Sequence, residues 1–189
     1  MTKILITGAL GFIGRSLIDK IIRFENKFEI FAIDIKEFPK DADYLKTKIN
    51  YERLDIRIKK QVEDYFKNNT FDGIIHLAAV SRVVDAENDK QNCIDTNYFG
   101  TLNILECVSS YKSKPWIVFS SSREVYGEQK KFPVSENADK LPLNIYGFYK
   151  LEGERIIEKY MDNYFILRFS NVYGNTYDIE DRVIPRFII

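Results

Sequence analysis

An excess of charge, cysteine, histidine and long apolar runs are all missing or scarce in this chain of 189 residues. Lys plus Arg and Asp plus Glu each number 28, so the formal net charge is zero. A balanced chain has no electrostatic footprint for nucleic acid or an anionic membrane surface, which argues against both as partners. The N-terminal stretch from Met1 to Gly8 has an apolar run of only three residues, Ile4 to Ile6. That is too short for a signal peptide, and no stretch approaches the length of a membrane span. The two cysteines, Cys93 and Cys107, lie 14 residues apart in what reads as one helix. The helical rise would hold them roughly 21 Å apart, beyond disulfide reach. They read as small hydrophobes in a reducing compartment, so the expected location is cytoplasmic. His76 is the single histidine, and nothing shows metal-ligand spacing, so no metal is expected.

What is present is the profile of one soluble globular domain: 45% hydrophobic and 30% charged residues. The length suits one core and is too short for two ordinary domains. Apolar β-branched runs predict strands at residues 3–7, 29–33, 51–54, 73–77, 116–120 and 164–169. Helical patterns fall between them, at residues 12–23, 58–67, 94–110 and 146–160. The strands are continuously apolar, not alternating, which means burial on both faces and a parallel sheet covered by helices. The βαβα order makes the fold class α/β, a doubly wound, Rossmann-type parallel sheet with helices on both faces. Residues 129–144, with two prolines and several charges, read as an exposed loop.

The first strand runs directly into Thr7-Gly8-Ala-Leu-Gly11-Phe12-Ile13-Gly14, and a helix follows. One glycine makes the tight turn, one lets backbone approach a pyrophosphate, and one lets the helix pack on the strand. The helix N-terminus offers free N–H groups and partial positive charge to the phosphates. Three spaced glycines alone would also fit a strand-to-helix turn without a ligand; the strand–turn–helix context favours a dinucleotide. Asp34 ends the second strand, 20 residues beyond Gly14, where an acidic group reaches the adenosine ribose hydroxyls. A carboxylate there repels a 2′-phosphate, so the expected cofactor is NAD and not NADP.

Further motifs follow in order: His76-Leu77-Ala78-Ala79, Asn97-Tyr-Phe-Gly-Thr101, Ser120-Ser-Ser122-Arg-Glu124-Val-Tyr-Gly127, Tyr146-Gly-Phe-Tyr-Lys150 and Leu167-Arg-Phe-Ser-Asn171-Val-Tyr-Gly174. With the 8/11/14 glycine spacing they resemble the extended branch of the short-chain dehydrogenases/reductases, the NAD-dependent epimerases and dehydratases of nucleotide sugars. The resemblance covers essentially the whole chain. On a helix Tyr146 and Lys150 share one face, a turn apart. A free tyrosine has a pKa of about 10, and a nearby ammonium favours the phenolate and pulls that value down. Tyr146 could then remove a sugar hydroxyl proton as hydride leaves the carbon.

The remaining roles are what the resemblance implies. Ser122 would hydrogen-bond the reacting hydroxyl, with Ser120 and Ser121 as neighbours of weaker claim, Ser120 on the cofactor side. Lys150 would also meet the nicotinamide ribose. Asp55 and Ile56 would touch the adenine; Leu77, Ala78 and Ala79 would line the cofactor channel, and Asn97 would bind the cofactor with them. Ser81 and Asn171 would contact sugar and diphosphate. His76 reads as a packed strand-end residue. Related 4,6-dehydratases carry Asp then Glu after the serine or threonine; here Arg123 replaces the Asp and cannot act as that acid, while Glu124 remains as a candidate catalytic carboxylate.

The resemblance thus implies an NAD-dependent nucleotide-sugar epimerase, a 4-epimerase working through a transient keto-sugar. A decarboxylase or 4,6-dehydratase of the same family is the alternative, and a non-catalytic NAD-binding module is one of another class. Intact Ser122, Tyr146 and Lys150 argue against the last. Residues 1–175 are expected to form the NAD-binding domain and 176–189 to begin a substrate domain largely absent here, leaving the chain alone inactive. The implied partners are the nucleotide sugar and a second copy, docked through helices 94–110 and 146–160.

Overall fold

In the computed structural model residues 1–24, 27–45, 47–174 and 177–178 are described. The chain begins with β1 (Thr2–Thr7), α1 (Phe12–Phe24) and β2 (Phe28–Asp34), followed by a 3-10 turn at Lys40–Leu45. Next come β3 (Asn50–Arg53), α2 (Lys59–Asn68), β4 (Gly73–His76) and α3 (Val83–Asn88). A long helical run then comprises α4 (Lys90–Ile94), a π-helical stretch Asp95–Gly100 and α5 (Thr101–Ser109). It leads to β5 (Trp116–Ser122), a 3-10 turn Arg123–Tyr126, α6 (Ile145–Tyr160) and β6 (Tyr164–Phe169).

The six strands form one sheet in the order β3-β2-β1-β4-β5-β6, all neighbours parallel. Successive side chains of β1 leave opposite faces. Ile4 and Ile6 join Ile18 of α1 and Leu45 in one apolar layer. Leu5 joins Val62 and Phe66 of α2, Ile104 and Val108 of α5, and Ile157 of α6 in the other. Double-sided burial is why the strands read as unbroken apolar runs. The chain order reverses at the β1/β4 boundary, and in such a sheet the crevice beyond the strand C-termini is where ligands bind.

The structure corrects the expected elements in three places. The helix expected over 94–110 starts at Lys90 and is interrupted by the π-helical stretch that carries Asn97. A change from four-residue to five-residue hydrogen-bond spacing leaves no apolar period to read. Strand β5 runs two residues further than expected, so Ser122 is its last member. Helix α3 was not expected; six residues are too few for a periodic signal. Residues 129–144 contain no helix or strand, and their tips Phe132, Leu141 and Leu143 are exposed. Of the expected second domain, only Tyr177 and Asp178 fall within the described residues. Among those residues no helix is long and apolar enough to cross a membrane.

Candidate active site

The strand C-termini open into a single cleft of about 1210 Å³. Drug-sized ligands fill pockets of roughly 300–1,000 Å³, so this one has room for a dinucleotide and part of a second ligand. Gly8, Gly11, Phe12, Ile13 and Gly14 line one end. Gly8 has φ +64°, and a Cβ there would lie 2.7 Å from the Ala78 backbone nitrogen. A Cβ on Gly14 would come 2.5 Å from the Gly8 carbonyl oxygen, so only glycine lets α1 start against the turn. The first turn of α1 leaves its N–H groups without intrahelical partners, facing the cleft end where anionic groups are favoured.

Asp34 is buried at the tip of β2 and lines the same end. Its Oδ2 accepts from the Leu10 amide at 2.9 Å and its Oδ1 from the Lys36 amide at 3.0 Å. The carboxylate therefore braces the glycine turn while each oxygen keeps a lone pair for a sugar hydroxyl. This cradle and fixed acceptor fit the phosphates and adenosine ribose of a dinucleotide. Asp55 and Ile56 line the cleft beyond β3. Arg57 donates from Nε to Asp55 Oδ1 at 2.9 Å and from Nη2 to Oδ2 at 2.6 Å. These charge-assisted bonds hold the Asp55 carboxyl below the usual carboxylate range.

The segment 77–80 is set by a buried relay. Thr7 Oγ1 accepts from the amides of Leu77 and Ala78 and lies 2.7 Å from His76 Nδ1. On the far side His76 Nε2 is 2.9 Å from Thr101 Oγ1, which itself donates to the Asn97 carbonyl. The hydroxyl proton of Thr101 is thus committed, so Nε2 carries the imidazole proton and Nδ1 accepts from Thr7. Asn97 does not line the cleft. Its buried amide accepts from Val80 N–H at 2.8 Å and donates to Val80 C=O at 3.1 Å. It braces the segment whose Leu77, Ala78 and Ala79 line the cleft and makes no wall of the cleft itself.

Burial, helped by the Lys150 charge, pushes the His76 imidazole down to about 3. An unfolded chain takes up the His76 proton below about 6.5, whereas the folded chain resists until about 3, so acidification through that window favours unfolding. Stability is expected to drop by about 2 kcal/mol between pH 7 and pH 5 from this group. Urea midpoints at the two pH values measure it. His76→Gln should shrink the difference, and an equal difference in both proteins would exclude His76 as its source.

Away from the glycine turn, Ser120, Ser122, Glu124, Tyr146 and Lys150 line the cleft together. Alternation along β5 separates the serines. Ser120 Oγ donates to the His76 carbonyl at 2.9 Å, while the Ser121 side chain turns the other way and donates to Glu154 Oε1. Ser122 Oγ accepts from the Glu124 amide at 3.2 Å, capping the 3-10 turn. Asn144 caps α6 by accepting from Gly147 N–H at 2.7 Å, and its Nδ2 donates to Glu124 Oε2 at 2.8 Å. Lys150 is buried, donates to the Ser120 carbonyl at 2.7 Å, and has its Nζ 5.9 Å from the Tyr146 ring centre. Desolvation lowers its ammonium to about 8. Ser81 and Asn171 line the cleft nearby, as exposed residues.

Two supports of this arrangement escaped the sequence reading. Asn144 closes the segment read only as a loop, although an Asn just before an apolar-periodic stretch is a capping signal. Glu154 extends the Tyr146–Lys150 stripe by one more turn and is fully buried, meeting Arg168 of β6 in a two-pronged ion pair. A carboxylate at that spacing on an apolar helix face is the signal that would have found it. Among the described residues no group of three His, Cys, Asp or Glu side chains could hold a metal ion.

Known proteins resemble this chain in sequence and in fold. The model of the NAD dependent epimerase/dehydratase family matches residues 4–189. A putative UDP-glucose 4-epimerase of Methanocaldococcus jannaschii is 35% identical over 182 residues, 93% of this chain and 57% of the relative. UDP-glucuronic acid decarboxylase 6 of Arabidopsis thaliana is 32% identical over 98% of this chain and 55% of its own length. The crystal structure of UDP-glucuronic acid 4-epimerase from Bacillus cereus, in complex with UDP-glucuronic acid and NAD, superposes with a TM-score of 0.83. It is 28% identical, and the match covers 99% of this chain and 62% of that one. The chain therefore spans little more than half the length of these relatives. With the glycine turn, Asp34 and the serine, tyrosine and lysine on one cleft, and a family match along nearly the whole sequence, the chain belongs to the NAD dependent epimerase/dehydratase family.

Proposed function

We propose that the protein carrying this chain is an NAD-dependent nucleotide-sugar 4-epimerase. The observation that carries this reading is the convergence of Ser122, Tyr146 and Lys150 on the cleft whose other end is the glycine turn and Asp34. NAD, when bound, would take a hydride from the sugar carbon and return it. Ser122 orients the reacting hydroxyl, and Tyr146 removes its proton as the C–H bond breaks, leaving a keto-sugar. Lys150 favours the phenolate through its charge. If the keto-sugar turned over before the hydride came back to its other face, with Tyr146 giving the proton back to the oxygen, the carbon would be inverted with no net redox change. Leu77 to Ala79, held by Thr7 and Asn97, keep the channel wall fixed.

A decarboxylase is the second reading, favoured by Glu124 standing between Asn144 and Arg123 in the cleft. We also read the exposed Phe99 and Phe148, packed edge-on against Tyr98 and Tyr149, as the seat of a second copy. The two free cysteines, Cys93 and Cys107, suit a cytoplasmic setting.

The cofactor half of the proposal is tested by calorimetry. NAD should bind about tenfold or more tightly than NADP, a gap of ~1.4 kcal/mol, because the fixed Asp34 carboxylate repels a 2′-phosphate. Lys36 lines the same end and acts in the opposite sense. Asp34→Asn should narrow the gap, whereas equal affinities in the unaltered protein would remove Asp34 as the discriminator.

A further inference from the structure

The reacting end of the cleft holds more positive charge than the proposed chemistry uses. Arg82, Arg123 and Lys150 line the cleft, as do the carboxylates Glu124 and Asp178 beside those of Asp34 and Asp55. Lys150 is committed to the Ser120 carbonyl and to Tyr146. Arg82 lies 3.9 Å from Asp85, which does not line the cleft. Arg123 directly follows Ser122, and Glu124 is its ion-pair partner, at 3.6 Å from Nε.

The turn that carries Arg123 is firmly seated. A Cβ on Gly147 would come 2.6 Å from the Glu124 carbonyl oxygen, so only glycine lets the start of α6 lie against this turn. Asn144 ties Glu124 Oε2 to the same helix end. Arg123 is thereby held next to Ser122, on the turn packed against the helix end that carries Tyr146, while 58% of its side chain still faces solvent. A guanidinium so placed, with its fork largely unengaged, matches a planar two-oxygen anion. An oxidised nicotinamide would add a further positive charge near Lys150, and a neutral sugar would leave Arg123 with Glu124 alone, at 3.6 Å from Nε, as its counter-charge.

We propose that the sugar of the substrate bears a carboxylate, as in a uronic acid, and that Arg123 receives it. This rests on the nucleotide-sugar reading above and narrows it to an acidic substrate class. The position of Arg123 next to the groups that meet the reacting hydroxyl favours the sugar over the diphosphate as its contact.

The test is a calorimetric titration of the NAD-loaded protein that carries this chain with UDP-glucuronate, UDP-glucose and UDP. UDP-glucuronate should bind about tenfold or more tightly than UDP-glucose, the scale of one charge-assisted bidentate contact. Arg123→Gln should erase that preference and leave the affinities for UDP-glucose and UDP unchanged; Arg123→Lys should restore part of it. Equal affinities for the two sugars in the unaltered protein would overturn the inference while leaving the nucleotide-sugar reading intact. A uniform loss for all three ligands in Arg123→Gln would assign the residue to the diphosphate and likewise overturn it. Failure of all three to bind, with NAD bound normally, would remove the nucleotide-sugar reading and this inference together.

Discussion

Glu154→Ala is expected to cost about 3 kcal/mol of stability, the lower end of the 3–5 kcal/mol typical for breaking a buried ion pair. For a domain of this size that corresponds to a fall in Tm of roughly 6–12 °C. The lower end applies because Arg168 keeps other acceptors, the Tyr126 hydroxyl at 2.6 Å and the Glu136 carbonyl at 2.9 Å, and is partly reached by solvent. The reverse deletion is expected to be worse. In Arg168→Met the Glu154 carboxylate, 2% exposed, would keep only the Ser121 hydroxyl. Thermal melts of both variants and of the double variant measure this, and the double variant should be more stable than Arg168→Met alone. Purely additive losses would show that the pair is not a unit. The pair also has a functional consequence, since it joins α6 to β5 and β6 one turn beyond Lys150.

The fold class was legible because it rests on burial of both sheet faces, a property written along the central strands, β1 above all, as apolar runs, though not along β3. Leu5 and Ile6 enter different layers, yet both must be apolar. The site residues with special geometry were legible for a related reason. Gly8 and Gly14 are demanded by backbone, whereas Tyr146 and Lys150, whose spacing alone would fit any helix surface, were marked by the family resemblance behind the glycine turn and the serines. Asn97 was expected to bind the cofactor, whereas its amide bonds to the Val80 backbone and stands behind the cleft, and nothing in one residue type separates a wall from a support behind it. The π-helical stretch that aims Asn97 at Val80 carries no apolar period. Arg168, Glu154 and Asn144 act through pairings across long stretches of chain, which are not visible before the strands are ordered.

Tyr146→Phe is expected to lower turnover by about 10²-fold or more, the range for losing a general acid–base group, with NAD affinity nearly unchanged. The phenol is held in a small cluster with Ala86 and Cys93, so phenylalanine should fill the same space. Turnover of the unaltered protein should also decline as pH rises through about 8, where Lys150 gives up the charge that favours the phenolate. The most direct measurement follows a UDP-sugar deuterated at C4 through the protein that carries this chain, with products analysed by mass spectrometry and NMR. The account predicts an inverted C4 that retains its deuterium, and almost no product from Tyr146→Phe. Deuterium lost to solvent, or near-normal turnover in Tyr146→Phe, would contradict hydride transfer with Tyr146 as the base.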